Sequence, residues 1–150
     1  GVKADTIDAV LACGIEEPMV LAARARALEA ARTEQPEVFA DLATAFARAN
    51  NLRDVKLGTG YKKAELSEVE CALSEAVVAA EEAVATALRE DRFADALVAL
   101  AALRAPVDRF FETTMVMDDD PEVRANRLKL LNRFANAFAH VADFGAMAKK

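Results

Sequence analysis

Residues 106–144 read "PVDRFFETTMVMDDDPEVRANRLKLLNRFANAFAHVADF", a stretch that combines a high apolar content with charges where a simple core would hold none. At about 100° per residue, its second half has one apolar helical face. That face consists of Leu128, Leu131, Phe134, Ala135, Phe138 and Ala142. The other side is expected to point toward solvent or a partner and carries Lys129, Asn132, Arg133 and Asn136. Arg127 falls inside the apolar face, so its charge needs a specific explanation.

A guanidinium on an apolar face stays charged and must find acceptors for its fork of N–H donors. Asp108, at the start of the preceding short helix, is the first candidate. We therefore predict a structural ion pair between Asp108 and Arg127 that fixes how two helices dock, with direct contact between Arg127 and a ligand as the alternative. Such pairs set geometry more reliably than they add stability.

Composition predicts the fold class. The chain has 150 residues, of which 54% are hydrophobic, enough for one domain with a real core. Only 6% are aromatic, there is no Trp, and Ala dominates. Such a composition favours closely packed helices over a sheet of β-branched and aromatic side chains. We expect an all-α, single-domain helical bundle of about six to seven helices.

Helix start and stop signals place these elements along the chain. Pro18 and Pro36 suit the first turn of a helix, Gly14 can end one in the left-handed conformation, and Ser67 with Glu70 forms a capping box. The predicted helices span residues 6–13, 17–32, 36–50, 68–89, 92–104, 106–113 and 121 to about 140 or beyond. The helix over 92–104 is apolar nearly all round, so we expect it at the centre. Residues 51–66 form the one clear loop.

Several functional classes are excluded by what the sequence lacks. Cys13 and Cys71 lie in apolar helical patterns and are expected to be buried thiols rather than a disulfide or a metal pair. His140 is the only histidine, and it has no nucleophile or metal-ligand pattern beside it. We therefore predict no catalytic residue and no metal site in this chain, and place His140 at a helix C-terminus.

The expected location follows from similar reasoning. No apolar run approaches the roughly 20 residues that span a bilayer, and the first residues lack the features of a signal peptide. We expect a soluble, cytoplasmic protein. Because the chain starts with Gly1 rather than Met, we also expect residues 1–150 to be one domain excised from the C-terminal part of a longer polypeptide.

The C-terminal part of the chain carries a longer pattern. Residues 93–144, from "FADALVALAALRAPVDRFF" onward, resemble the end of the β subunit of bacterial heterotetrameric glycyl-tRNA synthetase, where a DALR-type anticodon-binding helical domain closes the chain. The match carries Leu97, Leu100, Leu103, Pro106, Val107, Asp108, Phe110, Phe111, Met115, Val116, Met117, Asn126, Arg127, Leu128, Leu130, Leu131, Ala142 and Asp143, in order and at the expected spacing. Upstream, "DAVLACG", "ARARALEA" and "ATAFARANNL" resemble the earlier helices of the same domain.

One position departs from the pattern of that family. Arg48 and Asn51 match its Arg-x-x-Asn element, but Ala47 stands where the family typically has a basic residue, which puts a phosphate contact there in doubt. The resemblance implies an RNA-binding domain that holds the anticodon stem-loop of glycine tRNA and supports glycine attachment without performing it. It also implies that the partners are the rest of the β subunit and the α subunit. The parent assembly is implied to use ATP and Mg, while this domain itself is expected to hold no cofactor. Neither a membrane nor DNA is an expected partner.

The charge of the chain tests this implication. A net charge of −6 and a pI near 4.9 argue against RNA binding, since Lys and Arg contacts to phosphates supply much of the affinity. A domain tethered to a larger tRNA-binding enzyme gains effective concentration, however, and basic residues are segregated from the acidic helix 68–89. The alternative is a module that docks on its own synthetase and contacts little RNA.

Two groups of residues are the candidate RNA contacts. The first flanks the loop and consists of Arg48, Asn51, Arg53, Lys56, Tyr61, Lys62 and Lys63, in which the aromatic ring could support an unstacked base. The second decorates the last helix and consists of Arg124, Asn126, Lys129 and Arg133, together with Asn132 and Asn136. Either group could instead be a solvated face.

Four apolar residues invite a base-stacking interpretation: Phe110, Phe111, Met115 and Met117. Side chains at helical spacing are more often core, which is the interpretation we favour for this set. If one of them is exposed, we expect it in "TTMVMDDD", where the helix has ended, and Met115 is therefore included among the candidate RNA contacts.

Overall fold

The computed structural model describes residues 2–14, 17–114 and 116–147, which form helices and turns with no β-strand among them. The helices are α1 Ala4–Leu11, α2 Pro18–Glu34, α3 Pro36–Leu52, α4 Glu68–Arg89, α5 Phe93–Ala101, α6 Arg104–Thr113 and α7 Pro121–Asn136. Short 3₁₀ turns occur at Val55–Leu57, Lys63–Glu65 and Phe144–Met147. The predicted all-α bundle is confirmed.

Local chemistry sets the helix ends as the sequence predicts. The Ser67 hydroxyl accepts from the Glu70 N–H at 3.3 Å, and Glu70 Oε2 accepts from the Ser67 N–H at 3.0 Å, which completes the capping box of α4. The Asp120 carboxylate accepts from the Glu122 N–H at 2.9 Å and caps α7. Gly14 follows α1 with φ +75°, the left-handed conformation expected of it.

Helix α7 is buried on most of its sides, whereas α5 has an exposed face. Residues on nearly every side of α7 are buried, namely Asn126, Leu128, Leu130, Leu131, Asn132, Phe134 and Ala135. It packs against α3, α4 and the Val55–Leu57 turn. By contrast, Val98 on α5 is 67% exposed. Helix α5 does pack against α2, α3 and α4, but it is not buried all round, because apolar side chains on an outward face look the same in sequence as a buried face.

The chain after α7 closes the bundle on an aromatic cluster. The Phe138 ring lies 5.3 Å from Phe46, 5.2 Å from Phe134 and 4.8 Å from Phe144, all edge-to-face between ring centroids. The Asp143 N–H donates to the Ala9 carbonyl at 2.9 Å. The last helix ends at Asn136, earlier than predicted, so the exposed His140 lies in the turns that follow it.

The ion pair of Arg127 differs from the prediction. Arg127 Nε donates to Glu70 Oε1 at 3.0 Å, and its Nη1 lies 3.5 Å from Asp118 Oδ2. Asp108 instead lies 3.4 Å from Arg104 Nε, one turn earlier on α6. The predicted Asp108–Arg127 pair is therefore wrong. Sequence reasoning assigned Glu70 to the capping box alone, whereas its two oxygens serve both the cap and Arg127.

Other expectations concern thiols, metals and membranes. Cys13 and Cys71 are half-buried free thiols, and burial raises the pKa of the Cys13 thiol. In the described parts of the chain, no three His, Cys, Asp or Glu side chains are grouped so that they could hold a metal ion. Within those same ranges, none of the helices has the length and apolar content needed to cross a bilayer.

Candidate nucleic-acid interface

A cleft of about 540 Å³ lies between the C-terminal half of α3 and the segment that follows α6. Its walls consist of Thr44, Ala47, Arg48, Asn51, Leu52, Thr114, Val116 and Met117. The cleft thus brings the Arg-x-x-Asn element of α3 together with the end of "TTMVMDDD". Met117 is 51% exposed and Val116 is buried, while the predicted contact Met115 lies outside the described residues.

Arg48 is the charged group of this cleft. Its guanidinium carbon lies 4.4 Å from the centroid of the Phe111 ring, so one face of the guanidinium is held against an aromatic surface. Among the described residues, no carboxylate lies within 4.0 Å of its nitrogens. Its donors therefore remain available to an acceptor that enters the cleft, such as a phosphate or a base edge.

Carboxylates limit the approach to Arg48 from the α6 side. A smaller cleft of about 260 Å³ there is lined by Asp41, Asp108 and Glu112 as well as by Arg48 and Phe111. Burial, together with the charge of Asp41, raises the pKa of Asp108. The carboxylates on this side would repel a phosphate, whereas no carboxylate among the described residues lines the cleft on the side of Asn51 and Met117.

The basic loop, defined as residues 53–65 between α3 and α4, folds back onto α7. Asn132 Nδ2 donates to the carbonyls of Asp54 and Gly58, both at 2.8 Å. Asn126 Nδ2 donates to the Lys62 carbonyl at 3.2 Å, while its Oδ1 accepts from the Lys62 N–H at 2.6 Å. Both asparagine side chains are therefore committed to the loop backbone.

Asn126 and Asn132 are consequently not RNA contacts in the sense predicted. They are only 7% and 2% exposed, although the helical wheel placed Asn132 toward solvent or a partner and Asn126 was a candidate contact. The wheel identifies the polar side of α7 correctly, but it cannot show that the loop covers that side. The signal that sequence reasoning missed is the pair of amides itself, since Asn can satisfy both N–H and C=O groups of a neighbouring backbone.

Tyr61 and Arg133 are also engaged within the fold. The Tyr61 hydroxyl is hydrogen-bonded to the Ser74 hydroxyl, and the Arg133 guanidinium lies 5.8 Å from the Tyr61 ring centroid. Arg133 forms a bidentate pair with Glu81, in which Nη2 donates to Oε1 at 2.8 Å and Nε donates to Oε2 at 3.0 Å. The hydrogen bond with Glu81 raises the pKa of Arg133. Because Tyr61 and Arg133 both have partners within the fold, neither side chain presents a free surface on which a base could stack.

The remaining candidates differ in exposure. Lys62 and Lys63 are exposed, as is Lys56, whereas Arg53 and Lys129 are half-buried. Lys62 lies 3.8 Å from Glu65 in a pair that is exposed on both sides, so the contact is weak. Arg124 donates to the Asp118 carbonyl at 3.4 Å and is half-buried. Among these remaining candidates, the exposed cations are therefore the three lysines of the basic loop.

Comparison with known proteins adds two findings. The model of the family described as the DALR anticodon binding domain matches residues 42–144. Three curated relatives, each named glycine--tRNA ligase beta subunit, are similar over almost the whole chain. The protein of Ruegeria sp. (strain TM1040) is 42% identical over 153 residues, which cover 95% of this chain and 22% of that protein.

The other two relatives show the same relationship. The protein of Desulforudis audaxviator (strain MP104C) is 40% identical over 144 residues, 95% of this chain and 21% of the relative. The protein of Sodalis glossinidius (strain morsitans) is 40% identical over 151 residues, which cover 98% of this chain and 22% of the relative. The chain thus spans about a fifth of the length of the curated relatives it matches.

Proposed function

Since this chain belongs to the DALR anticodon-binding domain family, we propose that it binds the anticodon stem-loop of a tRNA, and that this tRNA carries glycine. The similar proteins are named as subunits of a glycine--tRNA ligase, which supports the choice of tRNA. In this proposal the domain holds the anticodon arm while the chemistry of glycine attachment takes place elsewhere in the assembly.

The observation that carries the proposal is the cleft shared by Arg48, Asn51 and Met117. Single-stranded RNA loops are recognised by hydrogen bonds to base edges and by stacking on flat or polarisable side chains. Arg48 offers a guanidinium held by the Phe111 ring, and Asn51 offers an exposed amide. Met117 supplies an exposed apolar contact, so the cleft combines the groups that an unstacked base requires.

The net charge of −6 is compatible with this function because the charges are unevenly distributed. Glu75 and Glu82 are exposed on α4, and Glu81 on the same helix neutralises Arg133. Three exposed lysines, by contrast, lie together in the basic loop, at positions 56, 62 and 63. Weak intrinsic affinity is acceptable in a domain that is tethered to other tRNA-binding parts, since tethering supplies effective concentration.

The wider assembly belongs to the proposal as well. We infer that the partners are the rest of a β subunit and an α subunit, and that ATP and Mg are used by that assembly rather than by this domain. We also expect the protein to work in the cytoplasm, where tRNA is charged. In this proposal the other subunits leave the cleft at Arg48 open to the anticodon arm.

The test is a titration of the chain with a glycine tRNA anticodon stem-loop and with one that has altered anticodon bases, each at low and moderate salt. We expect preferential, salt-sensitive binding to the cognate loop. Arg48→Ala and Asn51→Ala should each weaken it about tenfold, in the range typical of base-contacting side chains. The matched control is Arg26→Ala, an exposed arginine on α2. A folded chain that binds neither loop at either salt contradicts the proposal.

A second candidate function is a docking module with little RNA contact. The observation that favours it is the outward face of α5, where Val98 is 67% exposed and Ala94 and Ala102 are also exposed. Such a face suits burial against another part of a larger protein. Replacing Val98 by Glu should then disrupt assembly of a β subunit while the stem-loop affinity of the isolated chain stays unchanged.

A further inference from the structure

We propose that the basic loop is a second RNA-contact surface, which binds phosphates through Lys56, Lys62 and Lys63 and is held in place by Asn126 and Asn132. This inference rests on the proposed function, because it assumes that RNA occupies the cleft at Arg48. It adds a different surface with a different chemistry, and it assigns the two asparagines as positioning residues.

The charge of the basic loop is opposite to that of the whole chain. Its sequence "RDVKLGTGYKKAE" holds four basic and two acidic side chains in a protein with net charge −6. One of the two acids, Asp54, accepts from the Lys56 N–H at 3.1 Å and so caps the Val55–Leu57 turn. The lysine side chains at 56, 62 and 63 are exposed, and the one ion pair among them, between Lys62 and the second acid Glu65, is long and solvent-exposed, so an anion can compete for these ammonium groups.

The loop backbone is fixed at the positions that flank these lysines. Asn132 holds the carbonyls of Asp54 and Gly58, so Lys56 lies between two anchored residues. Asn126 holds both the N–H and the carbonyl of Lys62 itself. Preorganised binding groups avoid the entropy cost of ordering a flexible loop when the ligand binds. The loop backbone is thus held by α7 while the ammonium groups of the lysines face solvent.

The cost of this arrangement is visible at Asn132. Its side chain is 2% exposed, and its Oδ1 is buried without a hydrogen-bond partner among the described residues. A buried polar atom without a partner destabilises a fold. The Asn132 side chain nevertheless keeps the orientation in which its Nδ2 donates two hydrogen bonds to the loop and its Oδ1 accepts none from the described residues. Fixing the loop is therefore the main role of Asn132.

The chemistry of the loop indicates phosphate rather than base recognition. Lys presents a compact point charge that suits phosphate, and phosphate contacts position RNA without reading its sequence. The aromatic ring of the loop, Tyr61, is hydrogen-bonded to Ser74 and lies beside Arg133, so it is not offered to a base. We therefore assign base contacts to the cleft at Arg48 and backbone contacts to the loop.

The first experiment measures how stem-loop affinity depends on salt. The variant replaces Lys56, Lys62 and Lys63 together by Ala, and the control replaces three other exposed cations, Lys3→Ala, Arg26→Ala and Arg89→Ala, with the same change in net charge. Each phosphate contact contributes about 0.7 to 0.9 to the slope of log K against log salt. We expect the lysine variant to lower the magnitude of the slope by about 2 and the control to leave it unchanged.

The second experiment tests the positioning role. Asn126→Ala and Asn132→Ala should each weaken binding and reduce the salt slope in the parent chain, and should have no further effect on affinity in the lysine variant. A residue that only stabilises the fold would lower the melting temperature and give the same affinity loss in both backgrounds. If Asn132→Ala does not fold, the lysine variant decides, because exposed lysines contribute little to folding.

The outcomes separate the two proposals. Loss of binding in Arg48→Ala with parent-like binding in the lysine variant overturns the loop surface and leaves the cleft in place. A parent chain that binds no stem-loop overturns both. Reduced salt slope in the lysine and asparagine variants, with the control unchanged, supports the loop as the second surface.

Discussion

The carboxylate of Glu70 closes the first turn of α4 with one oxygen and receives the guanidinium of Arg127 with the other. Glu70 is 4% exposed, and the Arg127 side chain is 18% exposed, so this is a buried contact between the start of α4 and the first half of α7. Asp118 adds a second carboxylate at 3.5 Å. The Glu70 side chain therefore both caps the start of α4 and holds α4 against α7.

Breaking this pair should destabilise the fold strongly. Arg127→Leu leaves Glu70 buried without its cation, and removal of one partner of a buried pair typically costs about 3 kcal/mol. Urea unfolding of Arg127→Leu, Glu70→Gln and the double variant should show strong coupling. Asp108→Asn with Arg127→Leu is the control, and additive effects are expected there. Additivity between Glu70 and Arg127 would contradict the contact.

Asp108→Asn should raise stability slightly at neutral pH. The folded-state pKa of Asp108 is raised by burial and by the charge of Asp41. The folded protein therefore holds this proton more tightly than the unfolded chain does, and stability falls as pH rises from about 4 through the raised pKa. Because the side chain is 36% exposed, the gain is under about 0.5 kcal/mol.

Thermal unfolding of Asp108→Asn between about pH 3 and pH 7 checks this expectation, since that range brackets the ordinary pKa of an aspartate. The variant and the parent should match at the acidic end, and the variant should melt higher at neutral pH. Glu75→Gln, an exposed acid on α4, serves as the control. A lower melting temperature for Asp108→Asn at neutral pH would mean that its contact with Arg104 outweighs the burial and repulsion.

Reversing Arg133 should affect folding more than RNA binding. Arg133 is bidentate to Glu81, so Arg133→Glu places two carboxylates together between α7 and α4. We expect a loss of about 1 to 2 kcal/mol in stability, and partial recovery in the exchanged variant Arg133→Glu with Glu81→Arg. Stem-loop affinity of the exchanged variant should stay within about twofold of the parent. A large affinity loss despite restored stability would identify Arg133 as an RNA contact.

Gly58→Ala should destabilise the basic loop without a steric clash. Gly58 has φ +75°, and no atom would lie within 4 Å of a Cβ at this position, so only the backbone conformation disfavours Ala. With ψ −158° this is a region that only glycine adopts readily, and Ala there costs about 1 to 3 kcal/mol. Gly60→Ala is a control because its φ lies outside the left-handed range. Equal stabilities of the two variants, measured by urea unfolding, would contradict the strain at Gly58.

Arg48→Lys tests whether charge alone suffices in the cleft. Lysine keeps the positive charge but loses the planar fork and the stacking on Phe111. We expect it to lose about as much stem-loop affinity as Arg48→Ala does, measured by the same titration. Recovery of parent affinity by Lys would show that the cleft uses Arg48 only as a point charge.

The helices and their ends were predictable because their signals are local. The capping box at Ser67, the Asp120 cap and the prolines at the starts of α2 and α3 each act within one helical turn. The same holds for the apolar face of α7, since periodicity depends only on neighbouring residues. Helix ends were predicted less accurately where contacts between distant parts of the chain determine them. One example is the end of α7 at Asn136, after which the chain turns toward α1.

The partners of charged and polar groups were less predictable because they come from distant parts of the chain. Glu70 and Arg127 are 57 positions apart, and Asn132 and Asp54 are 78 apart. No periodic pattern encodes such pairs. Arg48 and Asn51 could be singled out as candidate RNA contacts because they belong to one face of one helix, but their neighbours Thr114 and Met117 become visible only in three dimensions.

The contacts that α7 makes with earlier elements bear on the order of events during synthesis. α3, α4 and the basic loop all rest on this helix, yet it follows them in the chain. Until residues 121–136 have left the ribosome, those elements lack their common partner, and the carbonyls at positions 54 and 58 lack their donors. Since domains generally fold as units during translation, we expect this one to acquire protease resistance only after α7 emerges, late and in a single step.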